Sequence, residues 1–436
     1  MDVFGLRLLA SSRLGALWLL AGLVACMTGC GGGSTAATIT DPTGTSPAPS
    51  TTVAIEPVTN VVVSPMSGYF PDPLPIHFTG GVNPSSGQWF SGSNQTLLNC
   101  AGTITPGCFA TSSITVDYSL FATQATSVGS TVGSVGNNNI YQDNSGNWQM
   151  ATTLHVTNPA DASFGQWNVI AHAHPTNNAS PVPTAWAADT ILVGSLATPQ
   201  KANYDGKYFQ DSGNLYLLYS MAITTTPALH DGVVAQLMVS ATQLSSSQPV
   251  VLIEPDTTNG GFNSEYFFGL NPSAPFKLVE TGNPAMIGDK YALAYSTGDY
   301  QETDYKAGVA WSDTFIPAAG TTYQKVLKVD TAGVWGTAGN TEVQYLLQAQ
   351  ESGWPNYVAA QVLAPGVPSF VNDNGVWYMY FAGYSPSDAP TIANGDFDPS
   401  HRRPYFVQLN INIPAGATAA GTSGYNLAGW MTPATQ

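Results

Sequence analysis

The sequence predicts an all-β chain folded as a five-bladed β-propeller, and three observations predict it. Charged residues are 9% of the chain and aromatics 11%, with 44 glycines and 31 prolines. That composition suits short strands joined by many tight turns. Beyond the N-terminal leader no long segment sustains a 3.6-residue apolar period, so helices should be few and short. A strand, a glycine turn and an aromatic strand then recur along the chain. Tyr208-Phe209-Gln210-Asp211-Ser212-Gly213-Asn214-Leu215-Tyr216 is the clearest case, with relatives around Gly146, Gly288 and Gly375. Each reads as a hairpin whose glycine accepts positive φ. Counting eight residues back from these glycines marks Asn138, Asp205, Glu280 and Val367, and the same offset from Gly80 marks Asp72. The marks lie 66, 67, 75 and 87 residues apart, a size that fits propeller blades of about four strands around a central channel.

In chain order the first element is a leader. Arg7 and Arg13 precede an uncharged apolar run, Leu14 to Ala25, followed by small residues around two cysteines. The run is shorter than the roughly 20 apolar residues a membrane helix needs, and the pattern is that of a secretory signal peptide. Leu23-Val24-Ala25-Cys26 and Met27-Thr28-Gly29-Cys30 both resemble the lipobox of bacterial lipoproteins, in which the cysteine becomes acylated. Cys26 has the better Leu and Ala spacing, while Cys30 abuts the glycine-rich stretch, and the choice stays open. Residues 1–30 are thus expected to be the signal and lipobox, and 31–55 a flexible Gly/Ser/Thr/Pro-rich tether. Residues 56–436 are expected to form the propeller, held at an outer membrane or cell surface through the lipid.

Within the propeller the first unit is the least regular. Gly80-Gly81 is not followed directly by an aromatic strand, and Gly87-Gln88-Trp89-Phe90 takes that role after a longer loop. Later strands of the units echo one another in Ile114–Ser119, Val234–Ser240 and Gly308–Asp313. Past the leader only Cys100 and Cys108 remain, and in an oxidising compartment so close a pair is expected to form a small disulfide loop. A formal charge of -16 and a pI near 4.4 argue against nucleic acid, whose phosphates need Lys and Arg. A neutral, sugar-like partner is easier to accommodate, and the chain is expected to act as a monomer.

The first strand of each propeller blade lines the axis, so the marked positions should converge on one end of the channel. Asp72, Asp205 and Glu280 would then share a pocket, where clustered carboxyls acquire separated pKa values. In this order of acids on successive blades the sequence resembles glycoside hydrolase family 43, five-bladed propellers that hydrolyse arabinosides and xylosides, from about Val58 to Ile413. The family's first-blade Asp-Pro is similar to Pro71-Asp72-Pro73, which implies Asp72 as the general base, although Pro-Asp-Pro is also a common turn. Its middle-blade pattern is similar to Tyr204-Asp205-Gly206, which implies Asp205 as the residue that tunes and orients the acid, with Gly206 replacing a proline. Its Glu-Gly-Pro turn resembles Glu280-Thr281-Gly282-Asn283-Pro284, which implies Glu280 as the general acid, with direct inversion at the sugar as in the family or retention as in related propeller families that act on fructans, a choice set by the carboxyl separation.

On the fifth blade the family offers Gly-His, whose imidazole helps hold a central cation or water, where this chain has Gly366-Val367. Valine cannot ligate a metal, so neither a catalytic metal nor another cofactor is expected. Trp89, Trp148, Trp186 and Trp311 could stack on sugar rings, although most such tryptophans pack between sheets. Trp89 and Trp311 are the substrate-binding candidates, with Arg402, which could also serve a closing-strand ion pair. His172 and His174 could share a strand face as ligands but lack a third ligand nearby in sequence. The leading expectation is a glycosidase. A surface glycan-binding lipoprotein with a degenerate propeller, or a propeller serving envelope assembly without sugar affinity, are the alternatives.

Overall fold

The computed structural model describes residues 64–65, 70–79, 88–157 except 94, 103 and 106, 167–223, 230–255, 265–267, 276–326, 343, 345–348, 362–387, 397–413 and 431–434. Cys26, Cys30, the expected tether and the Gly80 turn lie outside them. The described residues form a five-bladed β-propeller that is nearly all β-structure.

The first blade is the sheet of Leu74–Pro75, Gln88–Ser91, Thr96–Cys100 and Phe109–Ser113. The second begins with Val132–Gln142, Trp148–Val156, Trp167–Pro175 and Ala185–Val193. The third is built on Tyr204–Asp211, Asn214–Ile223 and His230–Ser240. The fourth is built on Glu280–Ile287, Lys290–Thr297 and Lys306–Ser312. The fifth contains Leu363–Asp373, Val376–Tyr384 and Arg403–Ile411. Ser64–Pro65, from before the first blade, pairs antiparallel with Arg403–Ile411 of the last, so backbone hydrogen bonds between distant parts of the chain close the ring.

An apolar seam fills each junction between neighbouring blades. Ile140, Met150 and Trp186 meet Ile76 and Leu97 between blades one and two. Tyr141 and Ile170 meet Tyr208 and Leu217 between two and three, and Leu218 and Val233 meet Leu293 and Tyr295 between three and four. Trp311 and Val309 meet Phe381 and Tyr405 between four and five. Phe90 and Phe109 meet Tyr380 and Phe406 across the closing junction. Fully burying one such side chain contributes about 1.5–3 kcal/mol, so the alternation of aromatic and aliphatic residues in the strands holds the ring. Cys100 and Cys108 are disulfide-bonded, as the sequence predicts, and lie against the closing seam.

Two expectations need correcting. The Ile114–Ser119 echo is not a third strand of a blade: Thr115–Asp117 pairs parallel to Ala185–Val193 at the outer edge of blade two. A helix, Ser119–Ser127, follows it and packs through Phe121 and Ala125. The eight-residue count also misaligns the blades, because the glycine occupies different places in the turns. Gly213 and Gly375 are second in two-residue turns, Gly288 is first, and Gly146 lies in a longer loop.

The register of the hairpins gives the true equivalence. In blades two to five the innermost strand is interrupted between Val135 and Asn138, Tyr204 and Lys207, Glu280 and Asn283, and Gly366 and Ser369. Each interruption starts seven residues before the last paired residue of the hairpin, namely Gln142, Asp211, Ile287 and Asp373. Glu280 is therefore equivalent to Tyr204, and Asp205 to Thr281 and Val367. Asp205, Thr281 and Val367 carry φ of 59°, 57° and 54°, the left-handed backbone that lets a bulge turn consecutive side chains toward the axis.

Candidate active site

The bulges open onto a cavity of about 470 Å³ at one end of the propeller axis, lined by Asp72, Asp205, Glu280 and Arg402 among others. Residues 133, 75 and 122 apart in sequence order thereby share one chamber. Asp72 lies in the extended segment before the first blade, between two prolines that fix its backbone. The Ser93 hydroxyl donates to its Oδ2. Gly92 lets this segment approach, since a Cβ there would lie 2.4 Å from the Asp72 carbonyl oxygen. Asp205 sits on the third-blade bulge, where its backbone N–H donates to Thr153 Oγ1 at 3.0 Å and its Oδ1 accepts from Asn137 Nδ2 at 3.0 Å. Glu280 begins the fourth blade. Tyr305 and Tyr204 donate to its two carboxyl oxygens at 2.7 and 2.8 Å.

Each carboxyl meets the cavity on one side and protein on the others, and this governs the electrostatics. Burial, and then the charge of Asp205, push the Glu280 carboxyl up to about 8, against the tyrosine hydrogen bonds and with a further push from Asp72. Burial and Asp205 also raise Asp72, while Ser93, Arg402 and Lys207 pull it down. At neutral pH the acid on blade four therefore holds its proton. In the neutral Glu280 carboxyl one tyrosine hydroxyl turns from donor to acceptor.

Two cations balance this cluster. Lys207 is 4% exposed and lies two residues along the strand from Asp205. Burial lowers its pKa, and Asp205, Asp72 and Glu280 act in the opposite direction. Arg402 is 2% exposed, and its guanidinium donates to the carbonyls of Ala364 at 3.1 Å and Ala382 at 3.2 Å. It also lies over the Tyr305 ring, 5.1 Å from its centre. Arg402 thus reaches the cavity wall, its hydrogen bonds holding it to the fifth blade while its guanidinium covers the Tyr305 ring. The donor set does not suit a central cation. Val367 presents an apolar side chain where a ligand would be needed, and its backbone N–H is bound to Ser296 Oγ at 2.7 Å.

The tryptophan candidates fall elsewhere. Trp311 is 0% exposed in the seam between blades four and five, and Trp89 packs against the seam between blades one and two. Neither turns a free ring face to the cavity, because an indole is large enough to contribute more by filling a seam than by lining an open wall. His172 and His174 instead hold the two carboxyl oxygens of Asp189 through their Nδ1 atoms at 2.6 Å each. Sequence reasoning missed Tyr204, Tyr305, Lys207, Asn137 and His155. Tyr204 emerges only from the bulge register of the folded sheets, which makes it the third-blade counterpart of Glu280.

No family model matches the sequence, and no curated protein matches it. Solved structures do share its fold. An exo-1,5-alpha-L-arabinanase from a bovine ruminal metagenomic library is 13% identical, with a TM-score of 0.51 over 85% of this chain and 99% of that one. An alpha-L-arabinofuranosidase from Lactobacillus brevis is 13% identical, with a TM-score of 0.54 over 82% and 94%. A thermostable family-43 glycoside hydrolase is 14% identical, with a TM-score of 0.51 over 83% and 96%. The chain has the five-bladed β-propeller fold of the family 43 glycoside hydrolases.

Proposed function

We propose that the protein is a glycoside hydrolase acting on arabinose- or xylose-containing polysaccharide at the end of the propeller axis. The observation that carries this reading is a carboxyl raised to about 8, Glu280, in one cavity with Asp72 and Asp205. A general acid must hold its proton at the working pH, and a neutral Glu280 does so. Glu280 gives that proton to the glycosidic oxygen as the bond to the sugar breaks. Asp72, whose pKa burial and the charge of Asp205 raise against the pull of Ser93, Arg402 and Lys207, takes a proton from the water that attacks the sugar carbon. Asp205, oriented by Asn137 and Thr153, raises the acid through its charge. This division of labour matches the roles implied by the sequence resemblance.

A non-catalytic glycan-binding protein is the second reading, favoured by Val367 in place of the family's histidine. In either case the protein is proposed to be exported, lipid-anchored through Cys26 or Cys30, and monomeric. The Cys100–Cys108 disulfide agrees with an oxidising compartment. Hydrolysis of aryl arabinofuranosides and xylosides by the protein, beside its Glu280→Gln variant, tests the leading reading. Turnover that collapses in the variant supports it, whereas sugar binding without turnover leaves the second.

A further inference from the structure

The wall that blade two turns to the cavity carries an imidazole acceptor whose role is fixed by its neighbours. His155 stands on strand Trp148–Val156 and lines the cavity, its Nδ1 2.8 Å from Asn168 Oδ1. The Asn168 amide is oriented by its Nδ2, which donates to the Lys201 carbonyl at 2.7 Å. Its Oδ1 is therefore the acceptor, the imidazole proton sits on Nδ1, and Nε2 keeps its lone pair. Burial lowers the imidazole pKa and keeps the ring neutral. Among the described residues Nε2 has no hydrogen-bond partner.

Two neighbours make this arrangement specific. At Gly136, equivalent to Asp205 in the bulge, a Cβ would lie 2.6 Å from His155 Nε2, so the missing side chain is what admits the imidazole. The next residue, Asn137, is 7% exposed and gives its Nδ2 to Asp205, while its Oδ1 is buried without a partner.

We infer that His155 Nε2, on the cavity wall, forms a subsite that accepts a hydroxyl proton from a neutral sugar and so sets which sugar the cavity takes. This rests on the glycosidase reading above and extends it to a specificity-determining residue.

The test compares the parent with His155→Phe, which keeps a ring but removes the acceptor, and His155→Gln, which restores one. Each is assayed on 4-nitrophenyl α-L-arabinofuranoside, 4-nitrophenyl β-D-xyloside and their monodeoxy analogues. Melting temperatures show that each variant is folded. For one hydroxyl position the parent should prefer the hydroxylated substrate over its deoxy analogue at least about tenfold more than His155→Phe does, and His155→Gln should recover part of the difference. Equal preferences in parent and His155→Phe at every position would overturn the inference. Should the parent hydrolyse nothing, the glycosidase reading fails, and the variants are compared by calorimetric binding of arabinose and xylose oligosaccharides. Binding at least about tenfold weaker in His155→Phe then upholds the subsite, while equal binding, or none by the parent, overturns it.

Discussion

Blades three and four carry their functional groups on the bulge itself, whereas blades two and five place glycine there and admit a side chain from elsewhere in the chain. Tyr204 and Asp205, then Glu280, occupy the first two. Gly136 makes room for His155, and Gly366 for Tyr305, whose Cε1 would lie 1.9 Å from an added Cβ. One backbone device thus serves two ends: it aims a side chain where the residue is large and opens a passage where it is glycine. The backbone repeats around the ring, and the chemistry of each blade is decided by one or two residues.

That contrast can be broken by filling the passages. Gly366→Ala should have the largest effect, because the Tyr305 ring it would strike is pinned by its bond to Glu280 and by Arg402 over its face. The expected loss in kcat/KM is about 100-fold, the scale for misplacing a catalytic group by an ångström, together with a lower melting temperature. Full activity in this variant would mean that Tyr305 has another way to reach Glu280. Gly136→Ala should have a milder effect, about tenfold, since the conflict is with the free end of an imidazole held only through Nδ1. Kinetics on matched glycosides would rank the two, and the reverse order would contradict the account.

The smallest effect sharpens the comparison. Activity should fall as pH rises through about 8, where Glu280 gives up its proton. The Tyr305 hydroxyl stabilises the ionised carboxylate, so Tyr305→Phe raises the Glu280 pKa and moves the alkaline limb upward, by up to about one pH unit. A pH–rate profile that moves downward would show that the tyrosine favours the neutral acid instead.

Much of the fold could be read from the chain because each blade repeats a hairpin with its own glycine and aromatic residues. Asp72, Asp205 and Glu280 stood out for a similar reason: in a sequence with only 9% charged residues, an acid before an apolar strand is conspicuous. The bulges were not legible. They depend on cross-strand register, and the glycine used as a ruler shifts within its turn, which set Asn138 two residues and Glu280 one residue out of alignment with Asp205. His155 comes from a second strand and Tyr305 from the residue just before a third, where the sequence looks like any blade interior. Their roles rest on glycines 61 and 19 residues away. Trp311 misled for the opposite reason, since a large aromatic side chain has the same appearance in sequence whether it stacks on a sugar or fills a seam.

The central claim is that Glu280 is a proton donor to the leaving group, and the dependence of its loss on the leaving group tests this most directly. The measurement is kcat/KM for the protein and for Glu280→Gln on a series of glycosides running from alkyl to 2,4-dinitrophenyl leaving groups. The account predicts a loss of about 10²–10⁴-fold for alkyl glycosides, which need protonation, and less than about tenfold for dinitrophenyl glycosides, which do not. A loss of the same size across the whole series would contradict it, and would make Glu280 a binding or structural residue of the cavity.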